Sequence, residues 1–89
     1  MQLNETLENR GNEYGQFISN SAISQDLKDY LRQAPNWESL ESDQKEALDM
    51  IMTKVGRILH GNPNEPDHWL DIIGYTKLIS DELKNPYKK

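Results

Sequence analysis

The sequence predicts an all-α protein, a small bundle of about four helices with an antiparallel helical hairpin at its C-terminal centre. Apolar residues recur at spacings of three and four along most of the chain, which is the period of an amphipathic helix. No segment shows the apolar-polar alternation of a half-buried strand. We find no internal repeat and no linker in the 89 residues, so we interpret residues 1–89 as one all-α domain.

The first part of the chain predicts a short helix and a turn. A stripe at helical spacing is interrupted by Gly11 and Gly15, and a glycine weakens a helix by about 1 kcal/mol relative to alanine. We therefore predict a helix near residues 4–10, followed by an irregular turn that delivers Tyr14 and Phe17 to the core.

A second helix is predicted to begin at Ser21, which is a suitable N-cap, and to end before Pro35. Trp37 follows in a turn and is expected to plug the end of the core. The apolar residues that share one face of this helix are Ile23, Leu27, Tyr30 and Leu31.

Two long helices are predicted at about residues 42–60 and 65–83. Gly61 should end the first in a left-handed conformation, and Asn64 should cap the second. Because the loop between them is short, we expect them to be antiparallel neighbours. The predicted core face of the first helix consists of Ala47, Leu48, Ile51, Met52, Val55, Ile58 and Leu59. The predicted buried residues of the second are Trp69, Ile72, Ile73, Thr76, Ile79 and Leu83.

Composition narrows the functional classes. The formal charge is −5, from 15 acidic and 10 basic residues, which argues against bulk nucleic acid as a partner but permits a local phosphate pocket. The chain has no cysteine and no apolar run of about 18 residues, so we expect a cytoplasmic protein without a membrane partner. A chain this short buries a modest core, so a homo-oligomer is expected.

The antiparallel register predicts which charges meet. It places Arg57 level with Asp67 and Lys54 level with Asp71. One interpretation is a pair of interhelical salt bridges, each contributing about 0–1 kcal/mol if exposed. Asp67 has a further structural interpretation as part of a capping box with Asn64.

The alternative is a pocket for a phosphate or carboxylate, in which the aspartates orient the basic side chains. Gly74 and Leu78 share a stripe with the aspartates. A mid-helix glycine is costly, so close approach of a ligand or of a second copy would explain it. The candidate ligand-binding residues are Lys54, Arg57, Asp67, Asp71, Tyr75 and Tyr14.

A magnesium site is a further alternative. Glu46 and Asp49 are three residues apart on one helix, and Asp67 and Asp71 are four apart on the next, so each pair can converge on a cation. No cofactor is expected outside this alternative. The sequence contains no Gly-rich phosphate loop and no nucleophile motif.

A set of motifs resembles a small family found in phages and prophages, which is described only as a domain of unknown function. The resemblance covers nearly the whole chain. Its motifs are Arg10-x-x-x-Tyr14-Gly15-x-Phe17, Pro35-Asn36-Trp37, Glu46-Ala47-Leu48-Asp49-Met50-Ile51, Lys54-x-x-Arg57-Ile58-Leu59-x-Gly61 and Asp67-x-Trp69-x-Asp71-Ile72-x-Gly74-Tyr75.

More distantly, the Lys-x-x-Arg helix, the Asp-x-x-x-Asp motif and the following tyrosine are similar to phage nucleotide-modification-associated domains and to MazG-type all-α nucleoside triphosphate pyrophosphohydrolases. This similarity implies a nucleotide ligand, and a phage origin implies the host-cell cytoplasm. Those hydrolases pair a Glu-Glu-x-x-Glu helix with a Glu-x-x-Asp helix around magnesium. This chain has Glu46-x-x-Asp49 and Asp67-x-x-x-Asp71 instead.

Three functional hypotheses follow. The first is a phage accessory protein that binds a nucleotide or another phosphate-bearing ligand without catalysis, for example to sequester a host signalling nucleotide. The second is a magnesium-dependent pyrophosphohydrolase. The third is an inhibitor that binds a host protein, which rests on small size and acidity.

Overall fold

The computed structural model describes the backbone of residues 3–87 and the side chains of residues 14–87. It contains α1 (Leu3–Arg32), a 3-10 turn (Trp37–Ser39), α2 (Ser42–His60) and α3 (Pro66–Leu83). The described residues form no strand, so the all-α prediction is confirmed. None of the helices in this part of the chain combines the length and apolarity needed to cross a membrane.

The N-terminal part differs from the sequence-based prediction. The two predicted helices are a single helix, α1, which continues past both glycines, so the described residues form three α-helices rather than about four. A glycine weakens a helix without ending it when the flanking residues remain helical. Because no turn forms, Tyr14 and Phe17 stay on the helix surface and are 65% and 62% exposed instead of lying in a core. Ser21 lies inside α1 and caps nothing.

The chain turns at Pro35 and buries Trp37, as the sequence predicts. Proline cannot continue a helix, and the backbone N–H of Trp37 donates to the carbonyl of Ala34 at 3.1 Å. The guanidinium of Arg32 and the ammonium of Lys45 lie over the indole ring, 5.4 and 5.9 Å from its centroid. Trp37 therefore ties the end of α1 to the start of α2.

Local hydrogen bonds set the bounds of α2. The backbone N–H of Glu41 donates to Oε1 of Gln44 at 2.9 Å, which completes a capping box at the start of the helix. At the end, Gly61 has a φ of −94°, so the predicted left-handed conformation is wrong. Its N–H instead donates to the carbonyl of Arg57 at 2.7 Å, and a Cβ at this position would lie 2.7 Å from the same oxygen.

Glu65, rather than Asn64, caps α3. Oε1 of Glu65 accepts a hydrogen bond from the backbone N–H of Asp67 at 3.3 Å. Pro66 occupies the first turn, where its missing N–H is not needed. The N–H of Asn64 donates to Oδ1 of Asn62 within the loop.

α2 packs against both of the other helices, whereas α1 and α3 make no more than marginal contact within the described residues. The described helices thus form an open layer in the order α1, α2, α3. The closest approach is at Gly56, which is buried. A Cβ at Gly56 would lie 3.0 Å from the backbone oxygen of Asn20 and 3.3 Å from Cβ of Ser24.

Few apolar side chains are covered by this layer. Trp37 and Ala47 are the buried hydrophobic residues of the described part, and no side chain there is fully buried. Several residues predicted to be buried are exposed, because periodicity identifies the apolar side of a helix but not what covers it. These are Leu59, Trp69, Ile73, Thr76 and Leu83.

The layer has two faces, one on each side of the contact between α2 and α3. Each face carries a cavity, and the two cavities are lined by different kinds of residue. We name them the apolar face and the ionic face. The apolar face carries a groove of about 500 Å³ whose walls include Leu48, Ile51, Ile79 and Leu83. The ionic face carries a cavity of about 350 Å³ lined by Asp43, Glu46, Ala47, Tyr75, Leu78, Ile79 and Glu82.

Candidate phosphate-binding groove between α1 and α2

Lys54 is engaged in an ion pair within the protein. Its Nζ lies 2.8 Å from Oδ2 of Asp71, and its side chain is only 13% exposed, while that of Asp71 is about half exposed. This is one of the two salt bridges that the register predicts. The ammonium of Lys54 is therefore directed at α3, where it links the two long helices.

Arg57 does not make the second predicted salt bridge. No ion pair joins Arg57 to Asp67 among the described residues. Arg57 is exposed and lines a groove between α1 and α2. Lys54 and Arg57 are three residues apart, which places them about 60° apart around α2, on adjacent sides of the helix. Lys54 pairs with Asp71 of α3, and Arg57 lines the groove with α1.

The two tyrosines of the predicted pocket lie elsewhere. Tyr75 lines the cavity of the ionic face together with Asp43, Glu46 and Glu82. Tyr14 is on the exposed surface of α1. The structure thus brings Lys54 and Asp71 together and places Arg57 and Tyr75 in two different cavities.

Two of the four predicted metal ligands, Asp49 and Asp71, are each paired with a cation. Oδ2 of Asp49 accepts a hydrogen bond from Arg32 at 3.2 Å, on the side of α2 that faces α1, whereas Asp71 is paired with Lys54. Within the part of the chain that the structure describes, no group of three or more His, Asp and Glu side chains is arranged to hold a metal ion.

The groove between α1 and α2 combines cations and neutral polar groups. It has a volume of about 200 Å³ and includes the side chains of Lys28 and Arg57 but no carboxylate among its lining residues. The side chains that line the groove therefore carry a net positive charge, although the whole chain has a formal charge of −5. The full set of lining residues is Phe17, Asn20, Ser21, Ser24, Gln25, Lys28, Thr53 and Arg57.

Small residues at the contact between the two helices bring these groups together. Ser24 is 6% exposed, and its Oγ lies 3.5 Å from Oγ1 of Thr53, a long hydrogen bond between the helices. Thr53 in turn donates to the carbonyl of Asp49 at 3.2 Å. Together with Gly56, these residues let α1 approach closely enough for Arg57 of one helix to lie beside residues of the other.

Asn20 presents an unsatisfied polar atom in the groove. Its Oδ1 is buried without a hydrogen-bond partner, and an unpaired buried acceptor costs about 1–3 kcal/mol. Rotating the amide by about 180° exchanges this acceptor for an N–H donor. Asn20 can therefore meet a hydroxyl group or an anionic oxygen of a ligand.

Sequence reasoning missed Lys28, Asn20 and Ser24 and assigned Phe17 to the core. The sequence does contain a pattern that points to them, because polar residues recur there at spacings of three and four. The prediction of a turn after residue 10 obscured this pattern. On a continuous α1, these residues fall on one side of the helix. The members of this polar stripe are Asn20, Ser21, Ser24, Gln25 and Lys28.

The fold and the groove define a small all-α protein with an open three-helix layer and a cationic groove. The chain matches no protein-family profile, no curated protein and no solved structure.

The ion pair of Lys54 yields a stability prediction. We expect Asp71→Asn to lower the free energy of unfolding by about 1–2 kcal/mol, between the values of exposed and buried pairs, because it leaves a largely buried ammonium without its partner. Asp81→Asn is a matched control, since Asp81 pairs with Lys77 at the same 2.8 Å but both side chains are exposed. In urea unfolding, the free energy of unfolding of the control variant should change by no more than about 0.5 kcal/mol. Equal losses in the two variants would contradict a structural role of the Lys54 pair.

Proposed function

We propose that this protein binds a phosphate-bearing small molecule, such as a nucleotide, in the groove between α1 and α2, without catalysing a reaction. The observation that carries the proposal is the pair of cations, Lys28 and Arg57, in a groove whose lining residues include no carboxylate. A guanidinium offers two parallel N–H donors to a phosphate group, and an ammonium adds a point charge. The hydroxyl groups of Ser21 and Thr53 supply neutral donors beside them.

The size of the groove indicates how such a ligand would lie. At about 200 Å³ the groove is smaller than the roughly 300–1,000 Å³ of pockets that enclose a drug-sized ligand. It accommodates a phosphate group but not a whole nucleotide, so the base would lie outside. Phe17 lines the edge of the groove and is largely exposed, which makes it a stacking platform for a base.

The biological setting that we propose is a phage or prophage accessory role in the host-cell cytoplasm, in which the protein sequesters a host signalling nucleotide. Its support is the resemblance of the sequence motifs to phage domains associated with nucleotides. Binding to a host protein stays a prediction, which rests on the small size and the acidity of the chain. We do not extend the proposal to magnesium-dependent hydrolysis, because Asp49 and Asp71 are each held by a cation on different sides of α2.

Calorimetric titration against inorganic phosphate, pyrophosphate and a panel of nucleotides tests the proposal. We expect Arg57→Gln and Lys28→Gln each to weaken binding by about 10-fold or more, since each removes a charged hydrogen bond. Lys54→Met is the control, because Lys54 is engaged with Asp71 and its removal should leave the affinity unchanged. Failure of every compound to bind at millimolar concentration, or loss of binding in the Lys54 variant alone, would contradict the groove as the site.

Phe17→Ala separates the two parts of the ligand. If the base stacks on Phe17, this variant loses affinity for nucleotides by about 5-fold or more, while its affinity for pyrophosphate is unchanged. Equal losses for both compounds would indicate that Phe17 shapes the groove rather than contacting a base.

A further inference from the structure

The apolar face of the layer is uncovered on both α2 and α3. Ile73 is 61% exposed, and Leu59, Trp69 and Leu83 are each more than half exposed. Large apolar patches on a protein surface mark sites of interaction, whereas scattered single residues do not. The groove of this face is lined by Leu48, Ile51, Ile79 and Leu83. Ile72 and Ile73 line an adjoining cavity that shares Thr76, Ser80 and Lys84 with the groove.

The described part of the chain has nothing left to cover this face. α1 packs on α2 and contributes none of the residues that line the groove. Since no side chain in this part is fully buried, the helices have formed without completing a core. Small domains that cannot bury enough apolar surface alone are commonly completed by association.

The face carries both a groove and an apolar ridge. Its groove, about 500 Å³, runs between α2 and α3 and has Leu48, Ile51 and Leu83 in its walls. Beside the groove, Trp69 and Ile73 are four residues apart and form an apolar ridge on the surface of α3. A groove and a helical ridge on the same surface are what a two-fold contact between identical chains requires, because each copy offers both parts.

The area agrees with that of a dimer. Two helices of the length of α2 and α3, each about 28 Å long and about 10–12 Å in diameter, together present a face of about 560–670 Å². Stable interfaces bury about 600–1,000 Å² on each partner. Lys77 and Asp81 border the face, and their mutual ion pair at 2.8 Å leaves neither of these two charges to be neutralised by a partner.

We propose that a second copy of this chain covers the apolar face, in a two-fold contact in which the ridge of Trp69 and Ile73 of each copy enters the groove between α2 and α3 of the other. The phosphate-binding groove opens on the ionic side of α2, away from this contact, so it stays accessible in the dimer. The proposal is independent of ligand binding and stands whether or not the groove binds phosphate.

Sedimentation equilibrium of the purified full chain tests the contact. We expect twice the mass of one chain at micromolar concentration, and we expect Ile73→Glu to raise the dissociation constant by at least about 30-fold, the effect of removing a central interface residue. Because Ile73 is exposed within one chain, the charge does not enter the chain's own core. Circular dichroism verifies that the variant remains helical. Leu59→Glu is a second variant on α2 with the same expected direction.

Leu78→Glu is the matched control, because Leu78 is on α3 with a similar exposure of 68% but lines the cavity of the ionic face. We expect the Leu78→Glu variant to retain the mass of a dimer. A single-chain mass at every concentration for the unmodified protein would overturn the proposal. Dissociation by Leu78→Glu but not by Ile73→Glu would also overturn it, since the stripe of Gly74 and Leu78 would then be the contact.

Discussion

Trp37→Ala is expected to lower the free energy of unfolding by about 3–5 kcal/mol, the usual cost of removing a large buried aromatic ring. Trp37 is 7% exposed and is one of only two buried hydrophobic residues in the described part of the chain. Its ring also lies under the cations of Arg32 and Lys45, which are on different helices. The substitution would leave a cavity where α1 joins α2 and would remove both cation contacts.

A loss of this size is a large share of the total free energy of unfolding of a small domain, which is roughly 5–15 kcal/mol. Urea unfolding followed by circular dichroism measures it, at one fixed protein concentration, because association makes stability depend on concentration. Tyr87→Ala is the control, since Tyr87 is 90% exposed and its truncation should change stability by no more than about 0.5 kcal/mol. A loss below about 1 kcal/mol for Trp37→Ala would show that the ring is not packed between the helices.

Gly56→Leu has the next largest expected effect. Even a single Cβ here would lie 3.0 Å from the backbone oxygen of Asn20, and the remaining atoms of leucine have no space between α1 and α2. Overpacking costs about 1–3 kcal/mol, and we expect the upper end because the obstacle is helix backbone and not a flexible side chain. The contact between Ser24 and Thr53 would be lost as α1 moves away.

Gly74→Leu is the matched control for this substitution. Gly74 is also in the middle of a helix, but a Cβ there would have no atom within 4 Å. Replacing it should therefore raise stability by up to about 1 kcal/mol through helix propensity. Thermal unfolding of the two variants should shift in opposite directions. If Gly74→Leu were as harmful as Gly56→Leu, a second chain or a ligand would have to pack against α3 at that position.

The bounds of the two long helices illustrate what local patterns reveal. α2 spans Ser42–His60 and α3 spans Pro66–Leu83, against predicted ranges of about 42–60 and 65–83. Apolar spacing, a proline in a first turn and a glycine after a last turn are all properties of neighbouring residues, so they can be read without a fold. The same patterns failed in α1, where two glycines suggested a break that the helix does not have.

The candidate site depends on contacts between helices, which local patterns did not predict correctly. The charge register identified the pair of Lys54 and Asp71, but it matched Arg57 with Asp67, although Arg57 lies in a groove with α1. The groove draws on two helices separated by more than twenty residues, from Lys28 to Thr53. Its cations could not be paired from sequence, because the position of α1 relative to α2 was unknown.

The sequence alone determined that this chain is helical and which side of each long helix is apolar, because backbone hydrogen bonding and side-chain spacing depend on residues within a few positions of one another. Only the tertiary structure decided which sides meet. The contact at Gly56 placed α1 against α2, which assembled the cationic groove on one face and left the apolar residues of α2 and α3 open on the other.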